Sequence, residues 1–249
     1  NVQVSPKTIY NAEDRTNAAT IIIGFTLAEA PPAGYPIVRL GSHDVTSCTY
    51  VGLDYTCTYN FNGNESDGSQ QLTIRTQDEA GNEVENSSVV VGFDFSAPVV
   101  NTTPSQSAYP FGGVLRYTVT SNEQVQTPEL TFSPALTVST DNAAPSVSYE
   151  YTAAAFGLGS NGTYSADIIL TDLAGNSVTQ SGTGFLVDVT PPVIGELHLS
   201  HTRIRAGETL TLSFNATDND TVDASSILVR AGDDEMVATT VIDGYDYSY

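Results

Sequence analysis

The chain has 249 residues, with 29 Asp or Glu against only 8 Lys or Arg, so its formal net charge is -21 at pH 7. Such a surface repels polyphosphates, which argues against nucleic-acid binding. Hydrophobic residues make up 40% of the chain, enough for packed cores, and no apolar run reaches the roughly 18 residues of a membrane-spanning helix. The chain starts at Asn1 without an initiator Met or a signal-peptide pattern, so we expect a mature product or a fragment.

Short stretches in which apolar and polar residues alternate follow one another along the chain, separated by Gly, Pro, Asn and Asp. In the first part they read VQVS, IIIGFTLA, YPIVRL, YTCTYNF, QLTIRT and SVVVGFDF. The next part has VLRYTVTS, ELTFSPALTVS, SVSYEYTA, YSADIILTD and TGFLVDV. A period of two is typical of half-buried antiparallel strands, and no stretch has a helical period. The sequence therefore predicts an all-β fold.

The only two cysteines, Cys48 and Cys57, lie on two Val/Thr/Tyr-rich arms around a Gly-Leu-Asp turn. This pattern predicts a hairpin that brings the two thiols onto neighbouring strands, within reach of a disulfide. Two reduced thiols packed as small apolar groups are the alternative. A disulfide would place maturation in an oxidising compartment outside the cytosol.

Part of the sequence recurs at a constant spacing. Asp172 follows Asp78 by 94 residues, and the Ala-Gly-Asn triplets at 80–82 and 174–176 have the same spacing. Further matches at this spacing are Asp94 with Asp188, Pro98 with Pro192, and Glu29 with Glu123. So many positions in register indicate a structural repeat.

The repeat divides the chain into three predicted domains, residues 1–97, 98–191 and 192–249. Six or seven strands in about 94 residues are typical of an immunoglobulin-like β-sandwich. Proline directly after the last strand of each complete copy ends strand pairing, so we expect tandem sandwiches arranged as a rod.

The third domain is short and lacks the last two strands and the Asp-x-Ala-Gly-Asn turn. Two explanations stay open. The sequence is cut from a longer chain, or a neighbouring subunit completes the fold by adding a strand and links protomers head to tail. Residues 1–10, NVQVSPKTIY, are one candidate for the donor strand.

The turn and linker residues resemble those of tandem Ig-like repeats in extracellular surface proteins of bacteria and archaea. The resemblance is carried by Asp78–Asn82, Asp172–Asn176 and Val187–Pro192, whereas the first linker, Phe93–Pro98, lacks the double proline. It implies a structural, extracellular or cell-surface protein: an adhesin stalk, a surface layer or a filament subunit. The alternative is an Ig-like module that binds a glycan or a receptor through exposed aromatics such as Tyr50, Tyr55 and Tyr59. Packing of the same tyrosines as cross-strand pairs in the core is the other interpretation of these residues.

Recurring carboxylates near strand ends suggest a metal hypothesis, because Ca²⁺ prefers six to eight oxygen ligands and some repeats of this kind bind it near domain junctions. The candidate ligands are Glu29, Asp78, Asp94, Glu123, Asp172 and Asp188. The alternative is turn chemistry: Asp78 and Asp172 accept backbone N–H groups, while Gly81, Asn82, Gly175 and Asn176 supply left-handed backbone dihedrals. No cofactor is required under either reading.

Asn-x-Ser/Thr sequons are about twice as frequent as composition predicts, which suggests N-glycosylation. They start at Asn64, Asn86, Asn101, Asn161, Asn215 and Asn219. We expect five of them on turns, linkers or strand ends, and Asn215 within a strand.

No pattern of catalytic residues emerges, so we expect that the protein is not an enzyme. His43, His198 and His201 lack partners at metal-ligand spacing, and no nucleophile elbow, Walker loop or dinucleotide-binding glycine pattern occurs.

Overall fold

The computed structural model describes residues 2–218, 221–239 and 245–248, and these are almost entirely β-structure. The first strands are β1 (Val2–Ser5), β2 (Ile9–Tyr10), β3 (Thr20–Thr26), β4 (Ile37–Leu40), β5 (His43–Asp44), β6 (Ser47–Val51), β7 (Asp54–Asn60), β8 (Gly68–Gln77) and β9 (Glu83–Phe93). They are followed by β10 (Val100–Pro104), β11 (Ala108–Tyr109), β12 (Arg116–Val125), β13 (Glu129–Ser133), β14 (Val138–Thr140), β15 (Ser146–Ala153), β16 (Gly162–Thr171) and β17 (Ser177–Val187).

The remaining strands are β18 (Val193–Ile194), β19 (His198–Leu199), β20 (Thr211–Phe214), β21 (Ala216–Thr217), β22 (Arg230–Ala231), β23 (Asp234–Glu235), β24 (Val237–Thr239) and β25 (Tyr245–Ser248). The helices are α1 (Ala12–Thr16) and one 3₁₀ turn, Ala224–Ser226. None of the helices in the described ranges has the length and apolar character needed to cross a bilayer.

Strands β1 to β9 form a β-sandwich, called the first sandwich below. One sheet has the order β1-β3-β7-β6 and the other β2-β9-β8-β4-β5, and only the β2–β9 pairing is parallel. Alternate residues of β3, such as Ile21 and Ile23, point inward and are fully buried. The predicted period of two is thus the period of burial, because successive side chains of a strand point to opposite faces.

Strands β10 to β17 form a second sandwich with the same order of corresponding strands. Its sheets are β10-β12-β15-β14 and β11-β17-β16-β13. Ile21 and Ile74 of the first core have buried counterparts 94 residues later, Leu115 and Ile168. The two buried cores share no residue, and the predicted boundary at 97/98 falls between them. That boundary and the one at 191/192 stay predictions.

The strands after residue 192 build one four-stranded sheet, β19-β20-β25-β24, and two short pairs, β18-β21 and β22-β23. Their described core is small, with Phe214 and Met236 as its buried hydrophobic residues. Large apolar side chains nearby are exposed, among them Leu199 at 53% and Leu228 at 58%. This short last part of the chain therefore leaves apolar side chains uncovered within the described residues.

The donor-strand expectation for residues 1–10 is wrong for the described fold. Val2–Ser5 pairs antiparallel with β3, and Ile9–Tyr10 pairs parallel with β9, so both strands are integral parts of the first sandwich. Tyr10 is fully buried in its core. Removing this segment would open that core, which makes it unsuited to serve a neighbouring subunit.

The predicted hairpin and its disulfide are present. Cys48 on β6 lies directly opposite Cys57 on β7, and the two are bonded. Gly52 in the connecting turn has φ +63°, a left-handed conformation that favours glycine. The three tyrosines nearby divide between the two interpretations: Tyr50 is 68% exposed, whereas Tyr55 and Tyr59 are buried in the core.

The short helix α1 was not predicted. Asn11 caps its N-terminus: the Asn11 side chain accepts from the Asp14 backbone N–H, and the Asp14 carboxylate accepts from the Asn11 N–H at 2.8 Å. This reciprocal capping box was visible in the sequence as Asn-x-x-Asp, but five residues are too few to show a helical period.

Candidate cation site between the first two sandwiches

The Asp-x-Ala-Gly-Asn segment of the second sandwich is a tight loop closed by its aspartate. Asp172 Oδ1 accepts the backbone N–H of Gly175 at 2.6 Å and of Asn176 at 2.8 Å. Asp172 Oδ2 accepts Asn176 Nδ2 at 2.7 Å. The first sandwich has the same loop, in which Asp78 accepts the Asn82 N–H at 2.8 Å and Asn82 Nδ2 at 2.7 Å. The turn chemistry expected for both aspartates is therefore present.

One detail of that expectation is wrong. Gly81 and Gly175 have φ of +90° and +99°, but Asn82 and Asn176 are not among the residues with positive φ. Both asparagines contribute through side-chain hydrogen bonds instead of left-handed dihedrals.

In the second sandwich this loop docks against the first. Asn176 Oδ1 accepts the Ala12 backbone N–H at 2.9 Å, and Asn176 Nδ2 donates to the Asp94 carbonyl at 2.9 Å. Asn11 Nδ2 donates to the Ala174 carbonyl at 3.1 Å. One buried asparagine side chain thus joins the start of α1, the segment after β9 and the loop of the second sandwich.

Gly175 allows this close approach. A Cβ at Gly175 would lie 3.0 Å from Asn11 Nδ2, and φ +99° is a conformation that L residues rarely adopt. A larger residue here would strain the backbone and require Asn11 to shift by a few tenths of an ångström.

Three carboxylates meet at the same junction. Asp94 follows the last strand of the first sandwich, Glu123 lies near the end of β12, and Asp172 follows β16. One oxygen from each of the three lies within 4.8 Å of the others. Asp172 is fully buried, and Asp94 and Glu123 are partly buried.

The electrostatics of the cluster are those of uncompensated like charges. Burial raises the pKa of Asp94, and the neighbouring Asp172 and Asp67 raise it further. Burial likewise raises the pKa of Glu123, with Asp94 and Asp172 adding to the effect. No salt bridge in the described part of the chain involves these three carboxylates.

Asp67 adds a fourth negative charge that the sequence analysis missed. Its carboxylate accepts the Phe95 N–H and the Ser96 hydroxyl, both at 2.6 Å, and so holds the linker beside Asp94. The residue 94 positions later is Asn161, which accepts the Val189 N–H at 2.7 Å and donates to the Thr190 hydroxyl. Because the second copy has an amide here, a search for recurring acids does not find this pair.

The other three predicted metal ligands lie elsewhere. Glu29 and Asp78 line one pocket where β9 starts, at the end of the first sandwich opposite Asp94. Asp188 follows β17, where its carboxylate accepts the Thr190 N–H at 3.0 Å. The structure therefore brings together three of the six candidates, from two sandwiches.

The donor set fits a hard cation. Carboxylate oxygens are the ligands that Ca²⁺ prefers, and its flexible geometry tolerates sites assembled from separate segments. The His and Cys ligands that transition metals favour are absent from this cluster. A bound Ca²⁺ would supply positive charge between Asp94, Glu123 and Asp172, with water filling the remaining coordination positions.

Five of the six sequon asparagines lie in the described residues, and all five are exposed. Their positions differ in part from expectation: Asn86 and Asn101 lie within strands, and Asn215 lies between β20 and β21. Asn64 and Asn161 lie in loops, as expected, and Asn219 lies outside the described residues.

No protein-family model matches the chain, and no curated protein matches it. Among solved structures, a Ca²⁺-stabilised adhesin that helps an Antarctic bacterium bind ice is similar at 17% identity and a TM-score of 0.40, over 100% of this chain and 64% of that chain. A Bacteroides ovatus SGBP-B from a mixed-linkage glucan utilization locus, in complex with a heptasaccharide, has 16% identity and a TM-score of 0.24, over 86% of this chain and 57% of that chain.

BcpA, the major pilin subunit of Bacillus cereus, has 8% identity and a TM-score of 0.23, over 100% of this chain and 95% of that chain. At identities and TM-scores this low, the comparisons do not establish that this chain shares a function with any of these proteins.

Proposed function

We propose that the protein is a non-catalytic structural component of an extracellular surface assembly: a filament, an adhesin stalk or a surface layer. Its Ig-like sandwiches are stacked end to end in a rod, and Ca²⁺ bound at the first junction holds two of them in a fixed relation. The observation that carries this proposal is the junction itself, where hydrogen bonds and carboxylates from both sandwiches converge on the loop 172–176.

The hydrogen bonds alone give the junction a defined geometry. Asn176 is 6% exposed, so its hydrogen bonds to Ala12 and Asp94 are shielded from water. Each contributes about 0.5–1.5 kcal/mol over the bonds to water that replace it when the sandwiches separate. Asn122, on β12 of the second sandwich, also fixes the linker, because its Oδ1 accepts the Val99 N–H at 2.7 Å.

The charges oppose this geometry unless a cation is present. Two unit charges 4.8 Å apart repel by about 1 kcal/mol in water and by roughly 3 kcal/mol at the lower dielectric near a protein surface. A divalent cation bound between the carboxylates would replace this repulsion with a net attraction. The junction is therefore weakened by its carboxylates without calcium and strengthened by them with calcium.

Extracellular placement rests on the chain's own chemistry. A disulfide between adjacent strands persists in oxidising compartments and is rare in the cytosol. The exposed sequons at Asn64, Asn101 and Asn215 are accessible to N-linked glycans. Asn86 lines a pocket beside Asp78 and is therefore left out of this proposal. Asn161 is less suited, because its side-chain amide already holds Thr190.

The partners in this proposal are further copies of the chain, associating head to tail, or neighbouring Ig-like modules of a longer chain. The exposed apolar residues after position 192, such as Leu199 and Leu228, are the surface that such a partner would cover.

Negative-stain electron microscopy of the purified chain in millimolar calcium tests the structural role. Fibres or ordered arrays are expected. Monodisperse rods that bind a glycan or receptor would contradict assembly and favour a ligand-binding arm.

One observation favours that second candidate, a glycan-binding module. Tyr50 stacks on Tyr55 with ring centroids 5.2 Å apart and borders a groove of about 880 Å³ that also contains Arg39 and Arg75. An exposed aromatic face beside hydrogen-bonding side chains suits a saccharide. Glycan-array binding that Tyr50→Ala abolishes and Val51→Ala retains would support it, and no binding by the native chain would contradict it.

A further inference from the structure

The end of the first sandwich that carries Asp78 has the same loop as the docked end of the second sandwich, but with different surroundings. Asn176 is 6% exposed and hydrogen bonded to the first sandwich, whereas its counterpart Asn82 is exposed. Within the described residues, the Asn82 side chain forms a hydrogen bond to Asp78 alone. Asn82 Oδ1, the atom that corresponds to the Ala12 acceptor Asn176 Oδ1, accepts no hydrogen bond from the described part of the chain.

Beside this loop the first sandwich opens into a pocket of about 420 Å³ with an apolar floor of Val2, Phe25, Leu27 and Ile74. Val84, at its rim, is 63% exposed. In the second sandwich the corresponding Val178 packs against the core, and the buried Val125 forms a backbone bridge to Asp172. The first sandwich is therefore left with both an open apolar pocket and an unused docking loop.

Two acids complete the similarity. Glu29 and Asp78 line the pocket, 94 residues before Glu123 and Asp172. At the junction between the sandwiches, the third carboxylate, Asp94, comes from the neighbour. The open end thus presents two of the three carboxylates and lacks the one that an incoming module would supply.

We propose that this end of the first sandwich is a docking surface for another Ig-like module, which approaches with the chemistry of the first sandwich's own Asp94 end. The occupant presents a backbone N–H to Asn82 Oδ1, an aspartate to Glu29 and Asp78, and an apolar side chain to the pocket. The inference rests on the proposed stacking function and extends it to a second surface. The contact between the first two sandwiches is the example of how such a surface docks.

The test is a fusion in which residues 1–100 are duplicated ahead of Asn1 of the full chain, which keeps the native linker length and gives a leading and a receiving copy of the first sandwich. Asn82→Ala is placed in one copy at a time. The substitution also gives the peptides of the two copies different masses, so that each can be assigned to its copy. In the fusion with Asn82→Ala in the leading copy, the native receiving-copy peptide spanning 78–86 is expected to exchange its amide hydrogens about tenfold more slowly than in the unfused chain. In the fusion with Asn82→Ala in the receiving copy, the native leading-copy peptide is expected to exchange as in the unfused chain.

Equal exchange of the receiving copy and the unfused chain would overturn the proposal. If the leading copy does not fold, a fusion with residues 1–194 ahead of Asn1 tests the carboxylate and pocket contacts alone, with Asp188 as the incoming carboxylate and without the backbone N–H that α1 supplies. Exchange of the receiving peptide equal to that of the unfused chain would overturn the proposal there too. Calcium binding at Asp94, Glu123 and Asp172 in the unfused chain is measured separately. A calcium response there without protection in either fusion would refute this docking surface and leave the proposed function standing.

Discussion

At the scale of single residues, Glu123 has opposite effects with and without a cation. Without calcium its charge repels Asp94 and Asp172, and with calcium it is a ligand. Glu123→Gln is therefore expected to stabilise the chain by about 1 kcal/mol in chelator and to destabilise it in millimolar calcium. Thermal melts of both proteins under both conditions measure this reversal. Stabilisation by the same amount in chelator and in calcium would show that no metal uses Glu123.

The Asn161 side chain is expected to hold the linker after β17 in place through its hydrogen bonds. It occupies the position of Asp67, and each side chain accepts a backbone N–H two residues after the last strand of its sandwich. Asn161→Asp should retain most of the stability, because the carboxylate keeps the bond to the Val189 N–H. Asn161→Ala should cost about 1–2 kcal/mol. Chemical denaturation compares the two variants, and equal stabilities would show that the side chain does not hold the linker.

At the scale of elements, Asn11 both caps α1 and donates a hydrogen bond to the second sandwich, and substitutions can separate these two roles. Asn11→Asp keeps an acceptor for the Asp14 N–H but removes the donor to the Ala174 carbonyl, whereas Asn11→Ala removes both. We expect Asn11→Asp to raise hydrogen exchange at 174–176 while α1 stays protected, and Asn11→Ala to expose both segments. Asn17→Ala, at the exposed C-terminal end of α1, is the control. Unchanged exchange at 174–176 in Asn11→Asp would remove α1 from the junction.

The strands were largely predictable, and the contacts between sandwiches were not. Burial alternates along β3 and β7 with the period that the sequence shows, because one face of each strand is in the core. The meeting of Asp94, Glu123 and Asp172 depends on how two separate cores sit against each other, which no local pattern encodes. Asp67 was missed because its counterpart is Asn161, and α1 because it is an insertion that the second sandwich lacks.

At the scale of the whole molecule, the junction should make stability depend on pH in a calcium-free buffer. The pKa values of Asp94 and Glu123 are raised in the folded state, so folding favours their protonated forms. Their stabilising contribution is present below the unfolded values of about 4 and is lost as pH rises through the folded pKa values. A double variant, Asp94→Asn with Glu123→Gln, should lack this loss.

Other groups change stability with pH in the opposite direction, such as Asp78, whose pKa is lowered by hydrogen bonds from Asn82. Because the double variant keeps these groups, their contribution cancels when it is compared with the native chain. Unfolding in chelator between pH 4 and pH 7 measures the difference between the two proteins. Parallel pH profiles would contradict the repulsion assigned to this cluster.

The stacking of sandwiches around a shared cation is tested most directly by calorimetric titration of the full chain with calcium. The account predicts saturable binding in the native chain that Asp94→Asn, on one side of the junction, and Glu123→Gln, on the other, each weaken strongly. Binding that neither substitution changes, or no heat at millimolar calcium, would contradict it.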